Sequence, residues 1–482
     1  MKNILFVASE CVPFIKTGGL ADVVGALPKA LDREQFDVRV IIPNYMAIPE
    51  RYRNDFEYVS HFYMDLGGLG SVYVGILTYQ LDGVTYYFID NQYYFGGPTP
   101  YGDIHWDIEK FCFFSKAALS ILPTIGFHPD VIHCHDWQTG IVPVFLHTIF
   151  KDNPFYHGIR TIMTIHNLRF QGIWDIPTLK LYTGLPDWVF TPDRMEYKKD
   201  ANMLKGGLVF ADRITTVSET YAGEIQCAFY GEGLDGLLRA KSNDLWGIVN
   251  GIDYDLYNPA TDQDIEAQYS VRNYLKGKAA NKAALQKELG LPEDPDTMLL
   301  AMVTRLTDQK GLDLVNWIIG RLVESRIQFV VVGTGDPRYE GLFRHMQEVE
   351  PDKVRAYIAF NEGFAHKVYA GADAMLMPSL FEPCGLTQLI SLRYGTVPIV
   401  RETGGLRDTV QPYNEYEQTG TGFSFCNYNA DEMLSTIYYA EQTYYDNRKA
   451  WNNIVKRGMQ QDFSWNSSAR KYEALYQTLC NL

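Results

Sequence analysis

The chain has 482 residues and a formal charge of −15, so two or three domains are expected rather than one core. Its 46% hydrophobic and 21% charged composition is that of a globular protein, no run approaches the roughly 18 apolar residues of a membrane span, and the acidic balance works against binding nucleic acid or anionic lipid. Seven scattered cysteines without a C-x-x-C pair suggest neither a disulfide framework nor a zinc knuckle, and the N-terminus enters a strand with no signal region, so a cytoplasmic protein is expected.

Residues 4–8 form an apolar strand, and Leu20, Val23, Val24, Leu27 and Leu31 then fall on one face at helical spacing, with Pro28 near the end. Between them lies Lys16-Thr17-Gly18-Gly19-Leu20. A strand-to-helix turn of this kind is where an open α/β sheet binds its ligand. Two glycines admit a bulky anion to the backbone, the helix start offers unpaired N–H groups, and the lysine adds charge, so a phosphorylated ligand is expected. The G-x-G-x-x-G spacing of a dinucleotide site is absent.

Further strands are read at residues 37–42, 85–89, 131–134, 161–165 and 213–217, most followed by helix-like stretches, which signals a doubly wound sheet. The Gly-, Tyr- and Pro-rich segment 66–103 reads as hairpins and a long loop. After the turn-rich Asn250-Gly251-Ile252-Asp253-Tyr254 the pattern restarts, with strands at 298–303, 327–332, 355–358, 374–377 and 396–400. The domains expected are 1–249 and 250–460, followed by an amphipathic helix within 461–482 that returns toward the first domain. Strand ends carry His135-Asp136 and His166-Asn167 in the first half. Gly333-Thr334-Gly335 and Pro378-Ser379 end strands in the second, and two facing units would gather these turns in one cleft.

Arg305 and Lys310 follow the first strand of the second half. Arginine binds phosphate oxygens bidentately and lysine supplies a point charge, which suits a diphosphate whose charge grows as its bond to carbon breaks; two solvated surface cations are the plainer alternative. Glu382, in Phe381-Glu382-Pro383-Cys384-Gly385-Leu386-Thr387, stands before a helix read as starting near Gly385, where a carboxylate is often only a cap or dipole partner. Cys384 has no evident His partner and reads as a packed or ligand-contacting thiol.

These blocks, with Thr164-Ile165-His166-Asn167, His135-Asp136-Trp137 and Thr403-Gly404-Gly405-Leu406, closely resemble the motifs of bacterial glycogen synthases and plant starch synthases, in order along the whole chain. The resemblance implies a GT-B fold, two Rossmann-like doubly wound α/β domains facing across a deep cleft. It implies transfer of glucose from ADP-glucose to the non-reducing end of an α-1,4-glucan such as glycogen, with retention and without a cofactor or metal. By position, Glu382, His166, Arg305, Lys310 and Asp136 would be catalytic. Lys16, Thr17, Gly18, Gly19, Asn167, Asn250, Cys384, Gly385, Leu386 and Thr387 would bind the donor, and Tyr101 and Trp137 the acceptor. Neither nucleic acid nor membrane is an expected partner. Related retaining transferases carry a second glutamate eight residues after the first, where this chain has Ile390, which leaves the ribose-binding group open. Asp253-Tyr254-Asp255 spells a D-x-D metal pattern but lies in the turn assigned to an interdomain link. A UDP-glucose-dependent GT-B transferase and a non-catalytic glucan-binding protein are the alternatives.

Overall fold

The computed structural model describes residues 1–359 and 361–481. They divide into two compact units, the first made of residues 1–250 with the helix Trp465–Cys480, the second of Gly251–Ser464. The second unit runs past the boundary expected at 460/461 because the Phe463 carbonyl still accepts the amide of Ile252 at 2.8 Å.

Unit 1 is built on β1 (Lys2–Val7), β2 (Phe36–Pro43), β3 (Glu57–Asp65), β4 (Ser71–Leu81), β5 (Val84–Asp90), β6 (Val131–His135) and β7 (Arg160–Ile165). After a small sheet of β8 (Ile173–Asp175), β9 (Glu196–Tyr197) and β10 (Asp200–Asn202) come β11 (Arg213–Thr216) and β12 (Leu245–Gly247). The nine-stranded sheet runs β12-β11-β7-β6-β1-β2-β5-β4-β3, parallel from β12 to β5 and antiparallel at the β4 and β3 edge. Its central strands are apolar on both faces, and Ile4, Leu5, Phe6 and Val7 are all fully buried, as expected of a sheet covered by helices on both sides. The hairpin expected within 66–103 joins β4 to β5 through Asp82 and Gly83, whose φ of 50° and 75° give the left-handed turn that suits the strand twist. The helix Gly19–Ala30 holds four of the five residues that placed it, and Leu31, the fifth, is its extended C-cap; none of the five is more than 6% exposed.

Unit 2 holds β13 (Met298–Val303), β14 (Ile327–Val332), β15 (Val354–Tyr357), β16 (Ala374–Met377), β17 (Val397–Arg401) and β18 (Phe423–Phe425). All are parallel in the order β15-β14-β13-β16-β17-β18, so the direction of winding reverses between β13 and β16. That reversal leaves a crevice at the carboxyl ends of the two strands, the standard ligand position of such sheets.

Candidate active site

In unit 2 the loops leaving β13 and β16 frame a recess of about 60 Å³ lined by Thr304, Lys310, Ser379, Glu382, Gly385, Leu386 and Thr387. Lys310 Nζ lies 2.7 Å from Glu382 Oε2, and the Ser379 hydroxyl donates to the same oxygen at 2.8 Å. The two side chains are 15% and 8% exposed, so this is a largely desolvated pair. Glu382 Oε1 makes no hydrogen bond among the described residues. Arg305 is exposed, and its guanidinium has no ion pair or hydrogen bond among them either.

Glycines hold the Glu382 loop in place. Gly404 has φ +47°, and a Cβ there would lie 1.8 Å from the Glu382 carbonyl oxygen; one on Gly405 would lie 2.0 Å from that of Cys384. Gly405 N donates to the Glu382 carbonyl at 3.1 Å. The Thr403-Gly404-Gly405-Leu406 motif is thus a backbone-on-backbone support. The following helix is Thr387–Tyr394, not one beginning near Gly385, because Gly385 takes a left-handed φ of +74° that no helix continues. No side chain caps that helix, which leaves its first N–H groups for an anion. Cys384 is buried and Gln388 Nε2 donates to its carbonyl at 2.9 Å, so it packs as a thiol within the loop.

In unit 1 the loops leaving β1, β6 and β7 bring together Glu10, Asp136 and His166. Asp136 sits at φ 58°, ψ −175°, a region that disfavours every residue with a side chain. The conformation is held by its amide on Thr164 O at 2.9 Å and by Oδ1, which accepts from His166 N at 2.7 Å. Burial pushes the Asp136 carboxyl up to about 7 against the pull of amide bonds from His166 and Asn167. His166 Nε2 lies 2.9 Å from His135 Nδ1, and burial lowers His166 to about 3 and His135 well below its usual value. Both imidazoles are therefore neutral near pH 7 and interact through hydrogen bonds rather than charge. Asn167 Oδ1 accepts from the Arg169 amide at 3.1 Å.

The Lys16 turn is partly paired, with Nζ 2.8 Å from Asp22 in the first helical turn. Gly18, the N-cap of that helix, has no side-chain cap bond, and a Cβ on it would meet nothing within 4 Å. Behind the turn stands Glu10, which the sequence reading missed: it is 3% exposed and accepts from the Thr17 amide, from Thr17 Oγ1 at 2.7 Å and from the Tyr101 hydroxyl. The signal available was a carboxylate two residues beyond an apolar strand, where a buried charge demands partners.

Other expected residues stand apart from these clusters. Trp137, expected on the acceptor side, is 6% exposed and packs against Phe111 and Gly172, leaving little of its ring for a ligand. Asn250, at the end of unit 1, is buried with Oδ1 unpartnered among the described residues. Ile390 is 4% exposed in the unit 2 core, so no ribose contact comes from that position. Asp253 Oδ1 accepts from the Asp255 amide at 2.8 Å, making the D-x-D segment a self-bonded turn.

Residues 3–240 match the starch synthase catalytic domain, and residues 281–457 match glycosyl transferases group 1. Glycogen synthases of Lachnospira eligens and Lachnoclostridium phytofermentans are 62% and 58% identical to the chain over 479 residues, 99% of it and 100% of each relative. The catalytic domain of starch synthase IV from Arabidopsis thaliana, described as bound to ADP and acarbose, superposes with a TM-score of 0.89 at 34% identity, covering 100% of both chains. A sucrose-phosphate synthase from Thermosynechococcus elongatus shares the fold, with a TM-score of 0.63 at 17% identity over 99% of both chains. Two Rossmann-like units with charged residues at their strand ends, and full-length identity at this level, make the chain a GT-B glycosyltransferase that belongs to the glycogen synthase family.

Proposed function

We propose that the chain transfers glucose from ADP-glucose to the non-reducing end of an α-1,4-glucan, with retention at the anomeric carbon. The observation that carries the residue roles is the Lys310–Glu382–Ser379 cluster at the strand reversal of unit 2, with Glu382 Oε1 unengaged.

The chemistry follows from these groups. As the bond from C1 to the diphosphate oxygen breaks, its electron pair goes to the leaving group. Lys310, Arg305, Lys16 and the amides of residues 385–387 meet that charge, as preorganised donors do in a site of low polarity. Glu382 supports the cationic sugar through Oε1 while Lys310 and Ser379 hold its other oxygen. His166 and Asn167 serve the glucose hydroxyls. Asp136, Tyr101 and the rim of Trp137 serve the acceptor, whose hydroxyl forms the new bond to C1 on the face the diphosphate leaves and gives its proton to the departing phosphate. One well-placed carboxylate suffices for this route, whereas a double displacement needs a nucleophile and a second group that acts as acid and base. The cations and amides answer the diphosphate charge without a metal ion.

Incubation with labelled ADP-glucose or UDP-glucose and glycogen tests the donor. Incorporation from ADP-glucose well above that from UDP-glucose is expected; equal or greater incorporation from UDP-glucose overturns the assignment.

A further inference from the structure

We infer that Glu10 is a positioning residue that ties the turn at 16–19 to Tyr101, so that one buried carboxylate sets both the donor-binding turn and the acceptor-side phenol. The inference rests on the roles proposed above for Lys16 and Tyr101.

Glu10 leaves the end of β1 and is 3% exposed, yet it pairs with no cation among the described residues. Its charge is met wholly by three donors: the Thr17 amide and Thr17 Oγ1 on one side, and the Tyr101 hydroxyl on the other. Thr17 and Tyr101 are 84 residues apart in sequence and share this carboxylate as a common acceptor. The turn has little else to hold it. Thr17 and Gly19 are exposed, Gly18 offers no cap to the helix, and the Lys16 side chain reaches outward to Asp22. On the far side, Tyr101 Oη lies 2.7 Å from Ser9 Oγ, and burial beside Glu10 keeps the phenol protonated well above neutral pH. The phenol therefore donates to Glu10 and accepts from Ser9. Ser9 donates to Tyr101, Tyr101 donates to Glu10, and Thr17 donates to Glu10 from the other end, so the bonds converge on the carboxylate, and hydrogen bonds to an ionised acceptor are the strongest of them.

A sugar hydroxyl that draws on the Tyr101 phenol must weaken its bond to Glu10 and so alter the hold on Thr17. A diphosphate that orders the turn must conversely alter the hold on Tyr101. Coupling of this kind is reciprocal by thermodynamic necessity.

The test is a double-mutant cycle of Thr17→Val and Tyr101→Phe, made in the native background and again with Glu10→Gln and Glu10→Ala. KM and kcat for each substrate are read beside the calorimetric affinity for ADP and the thermal unfolding midpoint. Expected are cross-effects: Tyr101→Phe raises KM for ADP-glucose and weakens ADP binding, Thr17→Val raises KM for glucan, and the two changes are non-additive. Glu10→Ala should lower kcat/KM roughly ten- to a hundredfold, the scale of a lost charged hydrogen bond, and erase the non-additivity. Glu10→Gln, which preserves shape, should reduce it with the midpoint held. Substitutions that affect only their own substrate and multiply independently in all backgrounds would overturn the inference. An absence of glucosyl transfer by the native chain would overturn the proposed function instead, and ADP affinity would still decide the role of Glu10.

Discussion

At the scale of single residues, the Lys310–Glu382 pair sets what mutation can report. Removing one partner of a desolvated ion pair strands the other charge and destabilises by about 3–5 kcal/mol. Lys310→Ala is therefore expected to lower the unfolding midpoint as well as turnover. Glu382→Gln is the cleaner probe of chemistry, since its amide oxygen still accepts from Lys310 or Ser379 while the negative charge beside the sugar is gone. Turnover should fall by about a hundred- to a thousandfold, the range for losing one preorganised transition-state interaction, with a smaller loss of midpoint than in Lys310→Ala because the Gln amide oxygen still accepts. Steady-state kinetics beside calorimetry checks this, and a Glu382→Gln enzyme of near-native kcat would make the residue structural. The sequence shows both residues as charged groups near strand ends. Their pairing across 72 positions is a product of β13 and β16 lying side by side, which no local pattern records.

At the scale of elements, β6 and β7 carry an acid-sensitive file of imidazoles. His133 bridges Tyr476 Oη at 2.8 Å and Thr164 Oγ1 at 2.5 Å, and burial lowers it to about 3, as it does His166. A depressed imidazole is neutral in the fold and takes up its proton first in the unfolded chain. Its contribution to stability is present above about 6.5 and is lost as pH falls toward about 3. Asp136 acts with opposite sign, since its raised carboxyl favours the fold at low pH and loses that contribution as pH climbs from 3.8 through about 7. Three histidines against one aspartate predict a net fall of the unfolding midpoint between pH 6.5 and 4. In His133→Asn the slope over that interval should be shallower, whatever its baseline; an unchanged slope would remove His133 from the account. Most parallel strands were legible because buried strands read as uninterrupted apolar runs, and residues 298–303 and 327–332 match β13 and β14 to the residue. The strands missed are of another kind. β3 is a largely exposed edge of mixed aromatic and polar residues, and β8, β9, β10, β12 and β18 are two or three residues each, too short to show a period. Glu10 escaped for a related reason, since its meaning lies in Thr17 and Tyr101 rather than in its neighbours.

At the scale of the whole molecule, the helix Trp465–Cys480 belongs to the core of unit 1. Tyr472, Leu475, Tyr476 and Leu479 are at most 1% exposed, Tyr476 meets His133 and Phe36, and Glu473 accepts the Asp32 amide at 2.8 Å. Burying four such side chains is worth about 6–12 kcal/mol, comparable to the total stability of a typical domain. Truncation after Ser464 should therefore abolish the cooperative unfolding of unit 1 while unit 2 keeps its own transition; a truncated chain with both transitions intact would show the helix to be dispensable. The same helix orders events during synthesis. Residues 1–250 leave the ribosome long before Tyr472 and Tyr476, and at about 5–20 residues per second the wait is on the order of ten to fifty seconds. Unit 2, contiguous from Gly251 to Ser464, is complete first. The nascent chain thus carries an unclosed apolar face through nearly half of its translation, and the portion made earliest is the one finished last.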